Sequence, residues 1–193
     1  MKRICVYCGS SRGRRPEYEQ AARQLGEALL ERELGLIYGG ASVGIMGAVA
    51  DTLLAGGGEA IGVIPEALAI KEVAHEHLSE QHIVATMHER KALMADLADG
   101  FIALPGGWGT LEEIFEALTW AQLGFHEKPC GLLNVAGYYD QLAAFLEQAF
   151  DEQFVRPVYR ELLLLAEQPA ELLERFATYE APRVKKWVSP VQL

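Results

Sequence analysis

Short apolar runs alternate with stretches of helical periodicity along almost the whole chain. The runs fall at residues 3–8, 34–38, 59–64, 81–85, 100–104, 129–134 and 162–166. The intervening segments 16–31, 45–54, 87–97, 114–121, 138–152 and 169–178 carry apolar residues at helical spacing. Strands that are continuously apolar must be covered on both faces, and strands separated by helices run parallel. The pattern therefore predicts an α/β fold with a doubly wound parallel sheet. The 193 residues, half of them hydrophobic, suffice for one core. A single domain is expected over 1–180, followed by a C-terminal surface arm at 181–193.

In such folds ligands bind beyond the carboxyl ends of the strands, near the switch in strand order. Three polar or glycine-rich loops leave strand ends, at residues 9–15, 39–44 and 105–110. They are expected to converge on one crevice. The third is the most informative: Pro105-Gly106-Gly107-Trp108-Gly109-Thr110-Leu111-Glu112-Glu113. It reads as strand, glycine turn, helix N-terminus. Glycines let a ligand approach the backbone, and the first helical turn leaves N–H groups unpaired. Those donors and the helix dipole favour a phosphate. Thr110 can cap the helix or offer its hydroxyl to the same phosphate. Glu112 and Glu113 suit the dipole but repel a phosphate, so one of them is expected to have a chemical task. The loop is neither a Walker A motif nor the dinucleotide fingerprint G-x-G-x-x-G.

Several classes are excluded or disfavoured. The formal net charge of −10 argues against non-specific nucleic-acid binding. No apolar run approaches the roughly 20 residues of a membrane span. The cysteines are Cys5, Cys8 and Cys130; an odd, small number without a signal peptide points to a reducing, cytoplasmic compartment. Cys5 and Cys8 have C-x-x-C spacing but lie in an apolar run, where core thiols are expected. His75-Glu76-His77, in the irregular stretch 65–80, has the look of a ligand pair; a solvated loop is the expected reading, with no metal. The length of that stretch, which also holds Glu72, marks it as a functional loop or lid. On the helix 87–97, Arg90 and Lys91 point about 100° apart, so at most one faces the crevice. By pattern alone the pair is equally a solvated surface feature.

Together these residues resemble the LONELY GUY family of phosphoribohydrolases, long mislabelled as lysine decarboxylases. The resemblance runs through Val6-Tyr7-Cys8-Gly9-Ser10-Ser11, Tyr38 to Gly47, Ile61 to Pro65, Met87-His88-Glu89-Arg90-Lys91, Pro105 to Glu113, and Thr119 to Gly124. The combination P-G-G-x-G-T-x-x-E with M-x-x-R-K is specific to that family. It implies a Rossmann-like fold, a homodimer, and hydrolysis of cytokinin riboside 5′-monophosphates to free base and ribose 5-phosphate. Bacterial relatives often cleave AMP too. The resemblance further implies Arg90 and Glu113 as the catalytic pair. It implies nucleotide contacts from Glu72, Arg90, Lys91, Gly106, Gly107, Trp108, Gly109, Thr110, Leu111, Glu112 and Thr119. The loop around Glu72 lacks the family's Thr-Gly step. No cofactor is implied. Two other readings use the same fold or label. A carrier of a phosphorylated cofactor, such as the molybdenum cofactor, would not need Arg90 and Glu113. A pyridoxal-phosphate decarboxylase would need a Schiff-base lysine, and none of Lys2, Lys71, Lys91, Lys128, Lys185 and Lys186 stands in a recognisable site.

Overall fold

The structure is a computed structural model that describes residues 1–69 and 74–182. Its strands are β1 (Arg3–Tyr7), β2 (Gly35–Tyr38), β3 (Ala60–Pro65), β4 (Glu80–Val84), β5 (Gly100–Ala103), β6 (Cys130–Leu133) and β7 (Leu163–Ala166). The helices are α1 (Pro16–Glu31), α2 (Gly44–Ala55), the single turn α3 (Glu66–Ala69), α4 (Met87–Leu97), α5 (Trp108–Leu123), α6 (Asp140–Asp151) and α7 (Pro169–Ala177). Short 3-10 segments at Val135–Gly137 and Pro157–Leu162 complete the elements.

All seven strands are parallel, in the order β4-β3-β2-β1-β5-β6-β7. The order reverses between β1 and β5, so the loops after those two strands flank the switch point. Alternation along β1 loads both faces of the sheet. Ile4, Val6 and Cys8 join the core under α1, α2 and α7, while Cys5 and Tyr7 join the core under α4 and α5. Cys5 and Cys8 thus belong to opposite faces, and all three cysteines are free and buried. The C-x-x-C spacing brings no two thiols together.

Two helices begin where their sequences dictate. α1 has proline in its first turn, where the missing N–H costs little. α4 opens with a reciprocal cap: Thr86 Oγ1 accepts the Glu89 N–H at 3.1 Å, and Glu89 Oε2 accepts the Ala85 N–H at 3.0 Å. That cap fixes the register in which Arg90 follows. Three expectations need correction. The run 81–85 is not a buried strand; β4 is the sheet edge and is largely exposed. Residues 65–80 contain α3 and a bridge from Ala74 to Ala41. The helix read from residue 138 starts at Asp140, because Ala136 (φ 51°) and Gly137 (φ 71°) make a left-handed turn first. Glu72, at 70–73, and all of the predicted arm beyond 182 lie outside the described residues.

Candidate active site

The three loops do meet. The Gly9 N–H donates to Pro105 O and Gly9 O accepts the Ile45 N–H, each at 3.2 Å, so one glycine ties the β1 loop to the β5 loop and to α2. They enclose a cavity of about 390 Å³, the size of a small-ligand site. Its lining includes Cys8, Gly9, Ser10, Gly39, Arg90, Gly107, Trp108, Gly109, Thr110, Glu112 and Glu113.

Gly107, not Thr110, is the N-cap of α5, and no side chain caps the helix. The N–H groups of Trp108, Gly109 and Thr110 therefore head the helix without intrahelical acceptors. Thr110 is buried, its hydroxyl packed against Gly106. Trp108 stands at the mouth, 90% exposed.

Arg90 and Glu113 face each other across the cavity, Nη2 to Oε1, at 3.9 Å. Both side chains are nearly buried. The Arg90 guanidinium is poorly satisfied: Nη1 reaches only the Met87 sulfur at 3.8 Å, and Nε has no partner. A buried cation with open donors is costly unless a ligand completes it. The room it occupies depends on Gly39, where any side chain would collide with Arg90 Nη2. Burial is the main force on Glu113 and raises its pKa to about 7, Arg90 pulls it down, and Glu112 pushes it further up. Near neutrality this carboxyl is poised between acid and base.

The remaining predicted residues separate by geometry. Lys91 does not line the cavity. Its Nζ donates to Glu112 Oε1 at 2.5 Å and Glu116 Oε1 at 3.0 Å, clamping α4 to α5 and so fixing Arg90 relative to Glu113. Burial draws the Lys91 pKa down, but those two carboxylates outweigh it and the net shift is upward. Gly106 lies behind the lining, Leu111 is half-buried against the core under α4 and α5, and exposed Thr119 donates its hydroxyl to Phe115 O. His75 turns its Nε2 to Asp51 at 2.9 Å, and its Nδ1 accepts the His77 N–H. Met87, the first residue of the M-x-x-R-K motif, also lines the cavity, as do Met46 and Met94, which the sequence did not assign to the site. Nothing local marks Met46 or Met94 as facing a cavity.

A family model described as "possible lysine decarboxylase" matches residues 46–176. A cytokinin riboside 5′-monophosphate phosphoribohydrolase of Arabidopsis thaliana is 52% identical over 93% of this chain and 82% of its own. Another of Oryza sativa subsp. japonica is 50% identical over 92% of this chain and 74% of its own. The chain belongs to the LONELY GUY family. Among solved structures, a molybdenum cofactor binding protein from Rippkaea orientalis superposes with a TM-score of 0.70 at 22% identity, covering 92% of this chain and 97% of that one. The molybdenum cofactor carrier protein of Chlamydomonas reinhardtii gives 0.69 at 19%, over 92% and 99%. At such identities the likeness is one of fold. Among the described residues no lysine lines the cavity of this LONELY GUY chain, so the decarboxylase label finds no amine there for a Schiff base.

Proposed function

We propose that the protein hydrolyses the N-glycosidic bond of cytokinin riboside 5′-monophosphates, and of AMP, to free base and ribose 5-phosphate. The observation that carries the reading is the buried Arg90, its donors unfilled, opposite a Glu113 carboxyl poised near neutrality. Both lie beside the open amides at the head of α5. A phosphate on those amides anchors the ribose, and the remote binding energy orients the reacting carbon. Breaking the bond leaves oxocarbenium character on the sugar. Glu113 as carboxylate stabilises that charge and orients water. Water supplies hydroxyl to the anomeric carbon and the base nitrogen gains a proton. Arg90 serves the phosphate or the departing base. The three pliant methionines support acceptance of adenine with or without an isoprenoid substituent. Sequence relatives at about half identity carry this activity in their names, whereas the cofactor carriers share only the fold.

The experiment is product analysis with AMP and isopentenyladenosine monophosphate beside the matching nucleosides. Both nucleotides are expected to release base, with kcat/KM for the nucleosides lower by at least about 10²-fold, the contribution of the anchored phosphate. Comparable turnover of adenosine and AMP would sink the reading.

A homodimer belongs to the same proposal. α5 keeps Leu111, Phe115, Leu118, Trp120 and Leu123 only partly covered, and α6 buries no residue at all, with Phe145 63% exposed. So much apolar surface fits a second copy. Light scattering at micromolar concentration should return twice the chain mass of 21.2 kDa; a monomeric mass refutes it. Three free, buried thiols support a reducing, cytoplasmic location.

A further inference from the structure

The loop 104–107 treats its two kinds of backbone polar group differently. All four of its carbonyl oxygens are taken. Leu104 O accepts the Tyr139 hydroxyl at 2.7 Å, and Pro105 O accepts the Gly9 N–H at 3.2 Å. Gly106 O accepts the Tyr138 hydroxyl at 2.5 Å, and Gly107 O accepts the Leu111 N–H at 3.1 Å. The N–H groups of Gly107, Trp108, Gly109 and Thr110 have no acceptor among the described residues. The carbonyls of 104–107 are drawn back into the protein, while the amides of 107–110, beyond the Leu104 N–H that donates to Tyr7 O, are left to the cavity.

One of those hooks is conspicuous for what it controls. The peptide joining Gly106 to Gly107 is planar and trans, so its C=O and N–H point in opposite directions. Glycine on each side leaves that plane easy to rotate. A flipped plane would turn a carbonyl oxygen, not an N–H, toward a phosphate. We infer that Tyr138 is a positioning residue: by holding the Gly106 carbonyl, its hydroxyl aims the Gly107 N–H at the anion in the cavity. The inference rests on the phosphate site of the proposed function.

The surroundings are built to deliver that hydroxyl. After β6 the Asn134 side chain accepts the Tyr139 N–H and donates to Asp140 Oδ1, each at 2.7 Å. The left-handed turn at Ala136 and Gly137 then swings both tyrosines under the loop. Tyr139 is buried and pins the strand end at Leu104. Tyr138 is 42% exposed, and its ring is held edge-on by Tyr18 at 5.6 Å and Tyr139 at 4.9 Å. Removing its oxygen therefore leaves the ring in place.

The test is Tyr138→Phe, with ribose 5-phosphate as the binding probe and AMP hydrolysis as the kinetic one. The melting temperature should hold within about 2 °C, since one part-exposed hydrogen bond contributes little. The dissociation constant of ribose 5-phosphate should rise about 5- to 10-fold, and kcat/KM for AMP should fall at least as far. The slow turnover of adenosine, which has no phosphate to place, should not change. A purely structural role would instead lower stability and spare phosphate affinity. Unchanged ribose 5-phosphate affinity in Tyr138→Phe overturns the inference. Weakened affinity in the variant, with a parent protein that binds ribose 5-phosphate but hydrolyses no nucleotide, upholds the hook and removes the proposed reaction. A parent that binds no ribose 5-phosphate overturns both.

Discussion

Glu113→Gln should leave the fold intact and lower kcat on a nucleoside 5′-monophosphate by about 10²-fold or more, on the order of 3 kcal/mol. Glutamine keeps the shape and most of the hydrogen bonding but cannot carry negative charge. Nucleotide binding should hold or tighten, because repulsion from the phosphate is relieved. Glu112→Gln should be milder: Glu112 is half-exposed and engaged with Lys91. Two pH measurements check the same assignment. With the Glu113 pKa near 7, kcat/KM should rise with pH up to about that value and level off above it. Stability should move the other way. The native carboxyl holds its proton more tightly than the unfolded one, whose pKa is 4.5. Its contribution is therefore complete below the unfolded value and is lost as pH rises through the folded one, by up to roughly 3 kcal/mol. The stability of Glu113→Gln relative to the parent should increase between pH 5 and pH 8. A full kcat in Glu113→Gln, with the loss in Glu112→Gln, would show that the other acid of the pair faces the ribose.

The local elements were largely legible. α1 and α4 lie where periodicity puts them; proline marks the start of the first, and the Thr–Glu cap that starts the second emerges only in the structure. What failed was non-local or conformational. The edge position of β4 follows from sheet order, which no local pattern encodes. The turn at Ala136 was invisible because alanine gives no warning of a positive φ. That turn is why Tyr138 and Tyr139, read as helical, lie under the phosphate loop instead.

The site divides in the same way. The glycine turn and the helix behind it are local motifs, whereas the pairing of Arg90 with Glu113, 23 residues apart on α4 and α5, came only from the family resemblance. The 100° step from Arg90 to Lys91 correctly limited the crevice to one of them. Where Lys91 goes was not readable, since Glu112 and Glu116 come from another helix, 21 and 25 residues on. Met46 and Met94 are silent for the same reason: apolar residues on α2 and α4 look alike whether they meet a neighbour or a cavity.

Neighbouring glycines of the loop should respond oppositely to the same substitution. Gly106→Ala should be severely destabilising, on the order of 3 kcal/mol or more, as for overpacking of a rigid site. A Cβ at 106 would overlap Thr110 Oγ1, lie 2.6 Å from Thr110 Cβ and come within 3.0 Å of the Gly9 nitrogen. Neither neighbour can yield: Thr110 is buried on α5, and Gly9 is bound to Pro105 and Ile45. At Gly107 the backbone is extended, with φ −96° and ψ −150°, and a Cβ meets nothing within 4 Å. Gly107→Ala should therefore change the melting temperature little. Gly107 lines the cavity together with Trp108, Gly109 and Thr110, whose amides are open. Ribose 5-phosphate affinity and kcat/KM for AMP should fall by about 10-fold or more, the cost of a displaced charge-assisted hydrogen bond. Thermal melts beside binding titrations on the two variants separate the roles. A Gly107→Ala protein that melts early but binds normally would mean the loop is held by its glycines alone and that the phosphate sits elsewhere. Early melting of Gly106→Ala with a normal Gly107→Ala melt and lost binding is the expected pair, and it would tie the close packing of one glycine to the open approach of the next.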